Sequence, residues 1–255
     1  MSPETLLSLE LGAVALVAGA LGAMLGIGGG IILVPIFIAL LSIDTPVARS
    51  ASLVAVCVTS LAASLVYIKQ GVTDIERGAV LQFPTVVGAI IGAIVGSGID
   101  PVIMQLIFAV LVLVIGFKMF AKDVKTESPT RRDWLLTILG CLVGGFISSL
   151  LGVGGGVFFV PILALIIGLP QRTAAATSTF LIGLTAATSA LIYFRQGQMD
   201  LAVTIPAAIG ILIGAQVGAR ASKHIPNLWL RRTFAVVKFG TAGLLLKGVF
   251  ASWLR

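Results

Sequence analysis

The chain has 255 residues, 58% of them hydrophobic and 11% charged, with a mean hydropathy of +1.13. A soluble domain carries about 25% charged residues, so this composition excludes one and specifies an integral membrane protein. The formal net charge of +7 does not point to nucleic acid, because the basic residues cluster in short connections between apolar runs, where they orient a chain in an anionic membrane.

Uncharged runs cover Leu11 to Ile43, Ser50 to Ile68, Ala79 to Ile99, Pro101 to Phe117, Trp134 to Gln171, Thr173 to Phe194 and Leu201 to Ala219. Each spans a bilayer or nearly so. The first is not read as a secretory signal, since Glu4 and no Lys or Arg precedes it and the apolar stretch is too long. It contains Leu25-Gly26-Ile27-Gly28-Gly29-Gly30 followed by Val34-Pro35. Glycine costs about 1 kcal/mol relative to alanine inside a helix, so this cluster marks a break. A break at membrane depth must be buried in protein or line a cavity. As one helix, the 33 residues from Leu11 to Ile43 would reach about 50 Å against a hydrocarbon core of about 30 Å, whereas Ile31 to Leu41 is too short to cross alone. The expectation is a hairpin that enters and leaves by one face, with Gly28, Gly29 and Gly30 near its tip.

The next run carries the hydroxyls of Ser50, Ser52, Thr59 and Ser60 and ends at Tyr67, which with Lys69-Gln70-Gly71 reads as an interfacial anchor. Cys57, and later Cys141, have no second thiol or histidine at metal-ligand spacing and read as small core residues. The third run places Gly88, Gly92 and Gly96 four apart, a small-residue seam for close helix packing. An alanine in that seam, at Gly92, is expected to be milder than a side chain in the glycine break.

The stretch from Asp123 to Asp133 is the only polar linker of any length. It divides the chain into a first transmembrane repeat over 1–122, a cytoplasmic linker over 123–133 and a second transmembrane repeat over 134–255. The second repeat restates the first 126 residues later: Leu151-Gly152-Val153-Gly154-Gly155-Gly156, then Val160-Pro161. At the same offset Pro35 meets Pro161, Ser52 meets Ser178, Thr59 meets Thr185, and Tyr67, Gln70, Gly71 and Asp74 meet Tyr193, Gln196, Gly197 and Asp200. A four-residue slip then sets Pro84, Gly88, Gly92 and Gly96 against Pro206, Gly210, Gly214 and Gly218.

A hairpin plus three spans is an odd number of crossings and inverts the second repeat relative to the first. On that topology twelve basic residues fall on one side, namely Lys69, Arg77, Lys118, Lys122, Lys125, Arg131, Arg132, Arg172, Arg220, Lys223, Arg231 and Arg232, and four on the other, Arg49, Arg195, Lys247 and Arg255. If each broken segment crossed once, the split would fall to ten against six. The positive-inside rule therefore favours inversion, with the basic loops cytoplasmic and both termini outward. The expected fold class is an all-α integral membrane protein of two inverted-topology repeats, each a glycine-broken re-entrant hairpin plus three transmembrane helices.

The glycine stretch lacks the Gly-Lys-Ser/Thr of a phosphate loop, and Ile31 stands where a dinucleotide fingerprint has its third glycine. It does expose amide groups at the start of a half-helix near Ile31, and again near Val157. Such an end carries about half a positive charge and unpaired N–H donors, which suits an anion at the midplane; a tight turn needed only for packing is the other reading. Candidate substrate-binding residues are Gly28, Gly29, Gly30, Gly154, Gly155 and Gly156, with Ser52, Ser178, Thr59 and Thr185 along the path. The other hydroxyls read as satisfying neighbouring helix carbonyls or joining helices. Lys238 interrupts an apolar stretch between Val237 and Phe239 and is a candidate on the ground that intramembrane cations are functional, snorkelling being the alternative. His224, the only histidine, lies in a basic loop. No metal, cofactor or catalytic residue is expected.

With the duplicated Gly-x-Gly-Gly-Gly and Val-Pro signature, the Ala-Ser-Leu and Ala-Thr-Ser stretches at Ala51 and Ala176, and the Tyr, Gln-Gly and Asp endings after Tyr67 and Tyr193, the sequence resembles the TauE/SafE family over nearly its whole length. Members are regarded as sulfite and organosulfonate exporters. The resemblance implies a prokaryotic-type inner-membrane carrier for small anions, coupled to the proton gradient. The matching motif residues are Gly26, Gly28, Gly29, Gly30 and Pro35 with Gly152, Gly154, Gly155, Gly156 and Pro161. One departure is Arg49, where the second half has Ala175, so the two halves need not contribute equally. The reading is a secondary transporter, an exporter of a small anion by alternating access, with membrane lipid and that anion as its partners. A passive anion channel of the same architecture is the alternative, and uphill movement separates the two. A membrane enzyme is set aside, since the sequence shows no metal cluster, nucleophile–base pair or cofactor motif.

Overall fold

The computed structural model describes residues 3–96, 98, 129–226 and 233. The helices there are α1 (Pro3–Leu25), α2 (Gly30–Ala39), α3 (Thr45–Lys69), α4 (Ile75–Gly96), α5 (Arg131–Leu151), α6 (Gly156–Leu165), α7 (Gln171–Arg195) and α8 (Leu201–Ala221), with a 3-10 turn at Ser222–His224. Six of them, α1, α3, α4, α5, α7 and α8, are long and apolar enough to cross a membrane. The remaining two, α2 and α6, have 10 residues each and are not. The run from Pro101 to Phe117 and the candidate Lys238 lie outside the described residues.

Local chemistry sets several boundaries. Thr130 and Asp133 form a reciprocal capping box at the start of α5, which satisfies two orphan N–H groups; α5 therefore begins at Arg131, inside the stretch assigned to the linker. Proline in the first turn opens α3, and the Asp200 carboxylate accepts from the Ala202 N–H at the start of α8.

The distribution of side chains is that of a protein immersed in lipid. Phe83, Leu61 and Leu65 are 77%, 64% and 63% exposed, while Ser52, Thr59, Ser178 and Thr185 are fully buried. Lipid removes the penalty on the first group. It also removes the hydrophobic drive between helices, leaving close backbone packing to hold them.

That packing is exchanged between the repeats. Gly210, Gly214 and Gly218 of α8 lie against the carbonyls of Gly12, Leu16 and Ala20 of α1, and Gly88 and Gly92 of α4 lie against those of Leu142 and Phe146 of α5. The glycine seam is thus helix-to-helix packing, as expected. A Cβ at Gly92 would overlap the backbone carbonyl of Phe146, which cannot turn aside as a side chain can, so Gly92→Ala carries a packing cost of its own.

The equivalent helices α3 and α7 run antiparallel. At one end Ser50 Oγ donates to the Gln198 carbonyl at 2.7 Å, and at the other Arg172 Nη2 donates to Gln70 Oε1 at 3.1 Å. Tyr67 and Tyr193, expected at the interface, are instead buried. Their hydroxyls donate to the carbonyls of Ala23 at 2.8 Å and Ser149 at 3.1 Å, pinning α3 to the last turn of α1 and α7 to the last turn of α5.

Candidate functional site

Each glycine cluster makes a turn that brings the following short helix against the helix before it. Gly22 of α1 faces the Gly29 N–H, and Gly29 faces the Ala18 carbonyl. In the second copy Gly144 of α5 faces Phe158 and Phe159 of α6, while Gly140, one turn earlier, faces Ile162, one turn later. The short helix therefore runs antiparallel to α5. Gly29 at φ 86° and Gly155 at φ 92° are the N-cap residues of α2 and α6, a left-handed conformation that glycine adopts without steric cost. Neither N-terminus has a side-chain cap among the described residues, and the Ile32 and Phe158 N–H groups turn back to the carbonyls of Gly29 and Gly155. Pro35 and Pro161 sit inside α2 and α6 and remove the helical hydrogen bonds that would end on the carbonyls of Ile31 and Val157.

The two turns meet. Gly30 lies against the Val153 carbonyl, and Gly156 against the Gly26 carbonyl and Ile27. Gly28 and Gly154 both face Val56 near the middle of α3, and Gly28 also faces Ile182, the equivalent of Val56 on α7. A side chain at any of these positions would separate backbone from backbone or displace the central Val56.

The candidate hydroxyls divide into kinds. Thr59 Oγ1 and Thr185 Oγ1 donate to the carbonyls of Ala55 at 3.1 Å and Leu181 at 3.0 Å, four residues back on their own helices. Ser178 Oγ donates to the Gly26 carbonyl at 2.7 Å, tying α7 to the first turn. Ser52 is fully buried beside Gly30, and its Oγ has no hydrogen-bond partner among the described residues.

Arg49, counted from sequence among the loop charges, is 4% exposed. Its side chain covers Gly152, its Nη1 donates to the carbonyls of Leu150 at 3.0 Å and Gly96 at 3.3 Å, and its guanidinium carbon stands 5.1 Å from the centroid of the Tyr193 ring. A cation at this depth, beside one glycine turn, is the functional candidate that reasoning by loops passed over. The signal available was its pairing with Ala175 across the repeat.

A separate cavity of about 520 Å³ is lined by Asp74, Glu76, Arg77, Val80 and Trp134. Asp74 and Arg77 there form a 2.8 Å ion pair, and none of its lining residues belongs to a glycine turn.

The family model described as Sulfite exporter TauE/SafE matches residues 11–245, which include both turns and every helix that frames them. The chain belongs to the TauE/SafE family. Among its relatives, the probable membrane transporter protein YunE of Bacillus subtilis (strain 168) is 26% identical over 236 residues, covering 82% of this chain and 86% of the relative. A probable membrane transporter protein of Haemophilus influenzae is 28% identical over 239 residues, covering 86% and 90%. The sulfite exporter TauE/SafE family protein 5 of Arabidopsis thaliana is 26% identical over 98 residues, 38% of this chain and 22% of the relative. No solved structure matches. The TauE/SafE chain described here is thus a multi-pass membrane transporter, and the glycine turns are the part of it where two breaks in apolar helices face one another.

Proposed function

We propose that this TauE/SafE transporter exports a small oxyanion, sulfite or an organosulfonate, across a prokaryotic-type inner membrane by alternating access, with the anion held where the N-terminal ends of α2 and α6 converge. The observation that carries the reading is the abutment of the two turns, Gly30 on Val153 and Gly156 on Gly26 and Ile27. Two half-helix ends without side-chain caps among the described residues there present the positive ends of two dipoles. The site residues are Gly28, Gly29, Gly30, Gly154, Gly155 and Gly156 with the hydroxyl of Ser52, while Ser178 ties α7 to the first turn and Thr59 and Thr185 stand further along α3 and α7.

Inverted repeats, each a re-entrant hairpin with three transmembrane helices, are supported by the antiparallel course of α3 and α7 and by the return of α2 and α6 alongside the helices before them. This arrangement lets one repeat rock against the other around a fixed central site. The distribution of basic loops supports a cytoplasmic face carrying Arg77, Arg131, Arg132, Arg172 and Lys223. The sulfur oxyanion class follows the description of the family and the name of the plant relative, and coupling to the proton gradient is proposed with it.

Purified protein in liposomes, offered sulfite, sulfoacetate, sulfate and acetate with and without a pH gradient, tests the reading. Accumulation of a sulfur oxyanion against its own gradient is expected. Flux that is only ever downhill identifies a passive channel, and flux of acetate alone overturns the substrate class.

A further inference from the structure

We infer that the two ends of this site are chemically unequal, so that one anion is held at the α2 end, by the first N–H groups of α2, the Ser52 hydroxyl and the charge of Arg49, while the α6 end is a structural brace. This rests on the proposed function above and adds to it which residues bind.

The inequality is visible by comparing equivalent positions. At the α6 end, Ser178 Oγ is engaged by the Gly26 carbonyl at 2.7 Å, and Ala175 lies over Gly26. The hydroxyl is committed to holding the first turn, and Ala175 brings no charge to it. At the α2 end, the equivalent Ser52 is fully buried and its Oγ makes no hydrogen bond among the described residues. That oxygen lies 2.9 Å from the place a Cβ on Gly30 would occupy, against the first residue of a 10-residue helix whose N-terminus has no side-chain cap. A buried hydroxyl left unsatisfied is costly, and native structures retain one where it has a further role.

The position of Ala175 is taken here by Arg49. It stands one turn before Ser52 on α3, so both side chains share a face. Its hydrogen bonds to the Leu150 and Gly96 carbonyls hold the guanidinium at the ends of α5 and α4, where the second turn begins, and that turn contacts Gly30 through Val153. Hydroxyl, helix end and fixed cation thus belong to one half of the assembly. The ligand they fit is a small oxyanion with several acceptor oxygens, one for the hydroxyl and others for backbone N–H groups. Arg49 opposite Ala175 also gives the two rocking halves unlike affinities for that ligand.

Equilibrium binding of radiolabelled sulfite to the full-length protein in detergent, with a melting temperature for every variant, tests this. Ser52→Ala is expected to weaken binding about tenfold or more, as for a lost hydrogen bond to a charged group, without lowering the melting temperature. Ser178→Ala is expected to keep the affinity within about twofold while lowering the melting temperature, because the Gly26 carbonyl loses its donor. Arg49→Lys is expected to retain most of the affinity that Arg49→Gln loses. Parental affinity in Ser52→Ala, equal losses in the two serine variants, or a loss confined to Ser178→Ala overturns the inference and leaves the proposed function standing. A folded parent that binds no sulfite overturns both.

Discussion

Gly92 of α4 rests directly on the backbone carbonyl of Phe146 in α5. The first Cβ placed at Gly92 must push two helices apart, and overpacking of this kind costs about 1–3 kcal/mol. Gly92→Ala is therefore expected to lower the detergent melting temperature. Gly12→Ala provides the contrast, since its Cβ would find the Pro206 carbonyl at 3.7 Å, an ordinary contact, and should leave stability near that of the parent. Equal melting temperatures for the two variants would show that the α4–α5 seam gives way.

Tyr67 and Tyr193 each fix one long helix to the end of the helix that precedes a glycine turn. Tyr67→Phe and Tyr193→Phe keep the rings and remove one hydrogen bond apiece, worth about 1 kcal/mol. The two bonds share no partner, so the double variant should lose the sum. Denaturant titrations of the three proteins, followed by tryptophan fluorescence, check both magnitude and additivity.

A side chain where the turns touch should act on transport. Gly30→Ala and Gly156→Ala place a methyl group against the Val153 and Gly26 carbonyls respectively, and misplacing a binding group by about 1 Å can cost about a hundredfold in activity. Flux of at most a tenth of the parental rate is expected, at protein levels matched by size-exclusion chromatography. Gly71→Asn is the control: nothing lies within 4 Å of a Cβ there, and asparagine tolerates the left-handed backbone of Gly71. Parental flux in both turn variants would remove the turns from the transport path.

The proposed topology sets Arg132 and Lys223 on the cytoplasmic face and Arg195 on the other. All three are exposed, so single cysteines there, with Cys57 and Cys141 replaced by alanine, report on sidedness. An impermeant thiol reagent on intact cells should label the cysteine at Arg195 and reach the other two only after permeabilisation. Labelling of one member alone of the Arg132 and Lys223 pair breaks the inverted arrangement.

Much of this architecture was legible in sequence because membrane depth makes local signals strong. A glycine cluster inside an apolar run had to be a turn, and glycines four apart had to face a helix. The burial of Tyr67 and Tyr193 was not legible. A tyrosine at the end of a span looks the same whether it meets headgroups or the end of a neighbouring helix, and only the return of the chain at Gly26 and Gly152 puts a carbonyl within its reach. Arg49 was hidden for a related reason: it lies early in α3 and reads as a loop charge, yet the end of α5 comes from 101 residues away to cover it. The contrast between Ser52 and Ser178 was beyond any pattern, since identical residues at equivalent positions differ only in what faces them.

The exchange of partners between repeats, α1 on α8 and α4 on α5, bears on how such a chain arose. Among the described residues, the glycine seam of the fourth helix of each repeat is covered by the other repeat, so a half-length polypeptide would find that cover on a second copy of itself. The duplicated gene product joins two such copies in one polypeptide, so each seam is filled by a neighbour that is always present at one-to-one stoichiometry. Once joined, the copies were free to diverge, and Arg49 opposite Ala175 records that freedom.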